Sequence, residues 1–220
     1  MAFPSINGTI TTTVFSGLET VQNVNLPSGI VAGEMLMIFG LVDRQRTLPT
    51  GLVSGGYLQV VFNFNDPEFF CYYKIASGSE GSTISLTYAA GCNATYATVR
   101  ISNFDSGEFP ETSTSSAGSS VNPNSNAITP SWGAADMLVF SFFSCLNTAA
   151  ETISAQPSGY SVPYPTLGTG AVSYRAVSGA SEDPGSFTIS PSISWRACTV
   201  AVKGGAVLNL ARNYGSIIYG

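Results

Sequence analysis

The sequence predicts an all-β protein, an antiparallel β-sandwich of jelly-roll or related topology. Short apolar segments rich in β-branched and aromatic residues recur along the 220 residues, bounded by Gly, Pro, Asn and Ser. No window of about twelve residues shows the 3.6-residue apolar period of an amphipathic helix. An internal repeat further indicates that the sandwich is made of two similar halves.

The strand signals are apolar runs that are often alternating and always short. In chain order they are Val14–Val24, Met35–Val42, Leu58–Phe64, Phe70–Ile75, Thr83–Tyr88, Tyr96–Ile101, Met137–Phe143, Ala171–Ala176, Phe187–Ser190 and Cys198–Val202. Sheets of five or six such strands need a second apolar face to cover them. The pattern therefore favours two sheets packed face to face.

Four blocks of the first half recur in the second half in the same order. The pairs are Ala32–Phe39 with Ala134–Ser141, Leu48–Leu52 with Gln156–Tyr160, Ser79–Ser85 with Ser181–Ile189, and Thr98–Ile101 with Thr199–Val202. We interpret them as a duplication with halves at about 14–104 and 128–203. The match places Glu34 and Asp136 at equivalent positions, and we expect each to close the preceding turn by accepting backbone hydrogen bonds.

A segment rich in Ser, Thr and Asn, residues 105–127, separates the halves and cannot bury enough apolar area to form a core. It fits a linker between two domains or an extended crossover within one. We prefer the crossover, and so a single duplicated domain over residues 1–203.

Residues 204–220 form an apolar tail outside the repeat. A free tail of this composition would expose apolar side chains and unpaired backbone groups, so it needs a partner surface, either on its own sandwich or on a neighbouring molecule. Its candidate contact residues are Val207, Leu208, Leu210, Ile217, Ile218 and Tyr219.

The composition argues against several classes of partner. With 8 Lys and Arg against 13 Asp and Glu, the chain offers no basic patch for nucleic acid. The apolar runs are too short to span a bilayer as helices, and the first ten residues lack the features of a signal peptide. We therefore expect no membrane anchor, synthesis in a cytosol, and four buried cysteines that stay reduced.

The residues offer little catalytic chemistry. Histidine is absent, which removes the common triads and the commonest metal ligand, and no nucleotide-binding or nucleophile-elbow motif occurs. Three carboxylate pairs are alternatives of the glycosidase type: Asp66 with Glu68, Asp105 with Glu108, and Glu182 with Asp183. Each pair has the composition of a turn, which is the interpretation we prefer over catalysis or calcium binding. We expect no catalytic residues, no metal and no cofactor.

Aromatic side chains are a second source of contacts. Most lie in alternating strands, where core packing is the ordinary role. Tyr160 and Tyr164 lie in the Pro-rich loop of residues 156–165, which makes them the best candidates for exposed contacts, for example with a glycan.

The duplicated pattern resembles β-sandwich virion proteins of tailed bacteriophages, particularly marine ones, over roughly residues 20–203. The segments that carry the resemblance are Ile128–Leu138, Pro157–Tyr160 and Ala180–Ser190, with Trp195 closing on Thr199–Val202. The resemblance implies a structural protein of the virion surface that binds the major capsid protein or other virion proteins as a homo-oligomer, with a trimer as one candidate. A capsid decoration or cement protein is the preferred expectation, and a tail-fibre or receptor-binding module is the alternative.

Overall fold

The computed structural model describes residues 2–44, 47–146, 152–162, 164–165 and 168–206. The described residues form strands, turns and loops but no helix, which confirms the predicted all-β antiparallel class. Among them, no helix is long and apolar enough to cross a membrane.

The strands of the first half form a six-stranded sheet and a small two-stranded sheet. They are β1 (Ser5–Ile6), β2 (Thr11–Phe15), β3 (Val21–Asn25), β4 (Met35–Val42), β5 (Leu58–Asn63), β6 (Glu68–Ile75), β7 (Thr83–Thr87) and β8 (Ala94–Ser102). The larger sheet has the order β1-β8-β4-β6-β5, with β2 also paired to β8, and β3 pairs with β7. The predicted strand Val14–Val24 is in fact two strands, because the chain turns at Leu18, where φ is +57°.

The remaining strands form a five-stranded sheet and a second small one. They are β9 (Glu111–Thr112), β10 (Ser116–Ser120), β11 (Ala135–Cys145), β12 (Thr152–Ala155), β13 (Gly170–Gly179), β14 (Thr188–Ser190) and β15 (Ile193–Lys203). The larger sheet has the order β10-β15-β11-β13, with β9 also paired to β15, and β12 pairs with β14. The predicted crossover thus contributes β9 and β10 to the second sheet. The first large sheet takes its strands from residues 5–102 and the second from residues 111–203. The connections therefore differ from a jelly roll, in which strands pass between the sheets.

The two large sheets share one interior. Phe39 of the first sheet packs against Phe140 and Phe142 of the second, with ring centroids 5.1 and 5.2 Å apart. Phe69 meets Phe142 edge to face at 5.2 Å. These rings belong to a single buried cluster that draws side chains from both halves. Residues of the two halves therefore cover each other's inner apolar faces.

The outer faces of both sheets are also covered. The β3–β7 pair packs on the first sheet, where it buries Val24 and Leu86 against Ile38 and Tyr72. In the second half, Phe187 and Ile189 cover the outer face in the same way. Strands buried on both faces read as continuous apolar runs. This explains why β4 and β11 show no alternation in the sequence.

One close approach shows how tightly two neighbouring strands of the first sheet fit. Gly40 in the centre of β4 is crossed by the ring of Phe70 on β6, and a Cβ at Gly40 would lie 2.1 Å from that ring. Any side chain there would have to displace a fully buried aromatic residue.

The same strand arrangement occurs in both halves. The predicted match of Ala32–Phe39 with Ala134–Ser141, however, is shifted by one residue. Met35 lies between Ile75 and Ile101 in the first sheet, whereas Leu138 has the corresponding place between its two neighbouring strands in the second. Met137 faces the outer cluster. The predicted equivalence of Glu34 and Asp136 is therefore wrong, because a shift of one residue moves a side chain to the other face.

Replacement of Phe140 by Ala tests the shared interior. We expect a loss of about 3–5 kcal/mol in the free energy of unfolding, because the ring is fully buried between the two sheets. Urea unfolding should remain one transition. Phe109→Ala is the control, since that side chain is 71% exposed and its loss should change stability by less than about 0.5 kcal/mol. Two separate transitions would mean that the halves have independent cores.

Candidate functional site

The candidate site residues predicted from sequence fall into two groups. Val207, Leu208, Leu210, Ile217, Ile218 and Tyr219 all lie outside the described residues, so binding by the tail stays a prediction. Tyr160 and Tyr164 are described. The structure places both near the edge of β13.

The expectation of an exposed ring is wrong for Tyr160. Only 5% of this residue is exposed, and it packs with Met137, Val139 and Val177 on the outer face of the second sheet. Tyr164 is partly buried, packs against the inner cluster and exchanges two backbone hydrogen bonds with Val172 at 2.9 Å. Neither ring forms an open stacking platform, because the loop folds back along β13.

The carboxylates near Lys203 confirm the turn interpretation for one predicted pair. Asp105 accepts the N–H of Gly107 at 3.0 Å and lies 3.3 Å from the Lys203 ammonium, and Glu108 lies 3.1 Å from the same ammonium. The hydrogen bond from Gly107 and the charge of Lys203 hold the pKa of Asp105 below its ordinary value. Within the described ranges, no group of three or more His, Cys, Asp or Glu side chains could hold a metal ion.

Glu34 also acts as expected for a residue that closes a turn. Its carboxylate accepts the N–H of Val31 at 3.0 Å and the side-chain amide of Asn7 at 2.5 Å, and lies 3.3 Å from Arg100. Burial opposes ionisation, but these donors outweigh it and lower the pKa of Glu34. The residue is structural, as the sequence predicted.

The turn interpretation is wrong for Glu68. This residue is the first of β6, is 0% exposed, and neither carboxylate oxygen has a hydrogen-bond partner among the described residues. Burial raises its pKa to about 9, and the charge of Asp66 adds to the effect. The carboxyl group is therefore protonated at neutral pH.

Both halves contain a Tyr–cation–Glu cluster that the sequence comparison did not find. In the first half, the Lys74 ammonium lies 5.5 Å from the ring centroid of Tyr57 and 3.1 Å from Glu80. Burial opposes ionisation of Glu80, but hydrogen bonds from Ser77 and Lys74 outweigh it and lower its pKa to about 2. The ion pair is mostly buried, with side chains 19% and 5% exposed.

The second half repeats the cluster with different residues. The Arg175 guanidinium carbon lies 5.9 Å from the ring centroid of Tyr160, and its Nη1 lies 3.4 Å from Glu182. The repeat of Ser79–Ser85 predicted the match of the glutamates. The tyrosines were missed because the block match followed the Pro and Gly residues and aligned Tyr160 with Leu52, although Tyr57 and Tyr160 follow the ends of β4 and β11 by the same number of residues.

Three exposed apolar side chains lie around Tyr73 near the β5 edge of the first sheet. Leu58 pairs across the strands with Tyr73, and the Phe109 ring centroid lies 6.4 Å from that of Tyr73. Ile75 follows two residues after Tyr73 on the same face. Leu58, Ile75 and Phe109 are 55%, 47% and 71% exposed. We call Leu58, Tyr73, Ile75 and Phe109 the Phe109 patch.

Comparison with known proteins found no matching family model, curated protein or solved structure. The function is therefore inferred from the surfaces and buried groups of the chain itself. Among these, the Phe109 patch is the feature best suited to binding a protein, since clustered exposed apolar residues mark interaction sites more often than single ones do.

Replacing Glu68 by Gln should flatten the pH dependence of stability. The folded-state pKa of about 9 lies above the ordinary value of 4.5. The contribution of the protonated group is thus fully present below pH 4.5 and is lost as the pH rises towards 9. Urea unfolding at about pH 5 and about pH 8 should show stability falling by up to about 1.4 kcal/mol per pH unit in the parent chain, and by less in the variant.

Glu80→Gln provides the matched control for this measurement. Its pKa lies below the ordinary value, so its contribution is present above pH 4.5 and is lost only as the pH falls towards 2. That variant should be less stable at both pH values and keep the slope of the parent. An unchanged slope in Glu68→Gln would contradict a protonated Glu68.

Proposed function

We propose that the chain is a virion structural protein of a tailed bacteriophage, which decorates the capsid surface and binds the major capsid protein. The observation that carries this proposal is the Phe109 patch, an apolar surface on a chain of which only 10% of residues are charged. The sequence resemblance to phage virion proteins supports the same role.

The patch has the composition of an interface centre. Apolar and aromatic side chains dominate the energetically important centres of protein interfaces, and charged residues are depleted there. Phe109 projects beside the buried Tyr73, so its ring has a rigid support. Supported aromatic residues lose little conformational entropy on binding.

Decoration would stabilise the particle by mass action. A protein that binds only assembled capsid subunits favours the assembled state over free subunits. This role needs a rigid scaffold and a binding surface. A two-layered interior covered on both outer faces is suited to that purpose, because Tyr73 of the patch belongs to the buried inner cluster.

The alternative of glycan binding through Tyr160 and Tyr164 loses its support, because the Tyr160 ring is buried and the Tyr164 ring packs against the inner cluster. The glycosidase alternative at Asp66 and Glu68 is also weakened. Glu68 is completely buried, so a substrate could not reach its carboxyl group without opening the outer layer.

Phe109→Asp should reduce attachment to particles that lack the protein by at least about tenfold, since a charge would have to be desolvated in the interface. Attachment is measured by cosedimentation of the purified chain with particles. Val14→Asp is the control. Val14 is 51% exposed on β2, at the opposite edge of the same sheet.

Two outcomes would count against the proposal. If both variants attach as the parent does, the Phe109 patch is not the binding surface. If intact virions contain only a handful of copies of the chain, instead of a number comparable to the major capsid protein, the decoration role itself fails.

A further inference from the structure

The two Tyr–cation–Glu clusters differ in one hydrogen bond. In the second half, the Tyr160 hydroxyl donates to Glu182 at 3.1 Å. In the first half, Tyr57 is 4% exposed, and its hydroxyl is buried without a hydrogen-bond partner among the described residues. Buried polar groups are almost always paired, so an exception requires an explanation. The second half serves as an internal reference for the first. The Tyr160 hydroxyl has a hydrogen-bond partner, whereas the equivalent Tyr57 hydroxyl has none among the described residues.

Glu80 cannot pair with Tyr57 as Glu182 does with Tyr160. Its carboxylate accepts the backbone N–H groups of Ser77 and Gly78 at 2.8 and 2.9 Å. It also accepts the Ser77 hydroxyl at 2.9 Å and lies 3.1 Å from the Lys74 ammonium. These donors fix the carboxylate towards the loop at residues 77–80. The Tyr57 hydroxyl is therefore left for a partner from outside this set.

A cavity of about 180 Å³ lies beside Tyr57. Its lining residues are Leu26, Gly55, Tyr57, Lys74, Glu80, Gly81, Thr83 and Ile84. A second cavity of about 320 Å³ shares Glu80 and Gly81 with the first and continues past Gly29 and Ile30. We call the two together the Tyr57 cleft.

The lining favours one kind of ligand. Lys74 and Glu80 balance each other's charge, so neither an anion nor a cation gains a net electrostatic advantage. Leu26 and Ile84 offer an apolar wall. The Tyr57 hydroxyl lacks a hydrogen-bond partner among the described residues and is buried, so a ligand can bond to it only after a neighbouring side chain moves. A small neutral compound with both hydroxyl groups and a C–H face meets these conditions. Sugar rings have this chemistry.

We propose that the Tyr57 cleft binds a neutral glycan residue, with the Tyr57 hydroxyl bonded to a sugar hydroxyl and the sugar C–H groups against Leu26 and Ile84. To uncover the buried Tyr57 hydroxyl, the Lys74 ammonium, which lies over the Tyr57 ring, gives up its 3.3 Å contact with the Gly55 carbonyl and stays paired with Glu80. The second cavity then holds the next residue of the glycan. This site is separate from the Phe109 patch and does not depend on capsid binding.

Saturation-transfer difference NMR on the full chain tests the proposal. The probes are methyl glycosides of neutral hexoses and N-acetylhexosamines, the corresponding disaccharides, and glucuronic acid as a charged control. A ligand of about a dozen heavy atoms should bind with a dissociation constant of about a millimolar. A disaccharide should bind more tightly than its monosaccharide because it reaches the second cavity, whereas a site for free sugars would prefer the monosaccharide. Glucuronic acid should bind more weakly.

Tyr57→Phe and Tyr160→Phe form a matched pair of variants. Each removes one hydroxyl from an equivalent tyrosine. Tyr57→Phe should weaken sugar binding about tenfold, the effect of one lost hydrogen bond, and leave the melting temperature unchanged or higher. Tyr160→Phe should leave binding unchanged and lower the melting temperature, because it breaks the bond to Glu182.

Three results would overturn the proposal. They are the absence of saturation transfer to every neutral probe, binding by Tyr57→Phe equal to that of the parent, and equal weakening in both variants. The last result would place the ligand elsewhere. Capsid attachment of Tyr57→Phe should equal that of the parent, so failure of the sugar site and failure of the decoration role are distinguishable.

Discussion

The packing of Phe39 against Phe140 and Phe142 is the interaction on which the rest of the structure depends. Among the described residues, neither large sheet has another cover for its inner face, so the two halves must meet to remove these rings from water. The small outer sheets then complete the burial of strands that are apolar on both sides. A chain with so few charges can keep such a thick apolar interior because Ser, Thr, Asn and Gly carry its surface.

The two halves share a common framework and differ outside it. Both halves keep a central strand between two neighbours and a tyrosine, a cation and a glutamate on the outer face. They differ where the framework meets solvent. Glu182 accepts a hydrogen bond from Tyr160, whereas Glu80 accepts hydrogen bonds from its own loop. The Phe109 patch lies on the first sheet, at the start of the segment that joins the halves.

The acidic residues show how environment decides the state of a carboxyl group. Glu80 and Glu34 are mostly buried yet ionised, because N–H donors and a cation surround them. Glu68 is buried with no such donor in the part of the chain that the structure describes, and it stays protonated. The contrast follows from desolvation, which penalises a charge unless hydrogen bonds or an opposite charge compensate it. Residue type alone therefore says little about which acids carry charge.

The sequence by itself determined the class of the fold, most strand positions, the repeat and the turn-closing role of Glu34, because these depend on local pattern and composition. Only the tertiary structure decided that Met35 corresponds to Leu138, that Tyr160 is buried and that Glu68 is buried at the start of β6. Each of these depends on which face of a strand another layer covers. Contacts between residues far apart in the chain set that choice, and a shift of one residue reverses it. The Phe109 patch and the Tyr57 cleft could not be predicted from the sequence for the same reason.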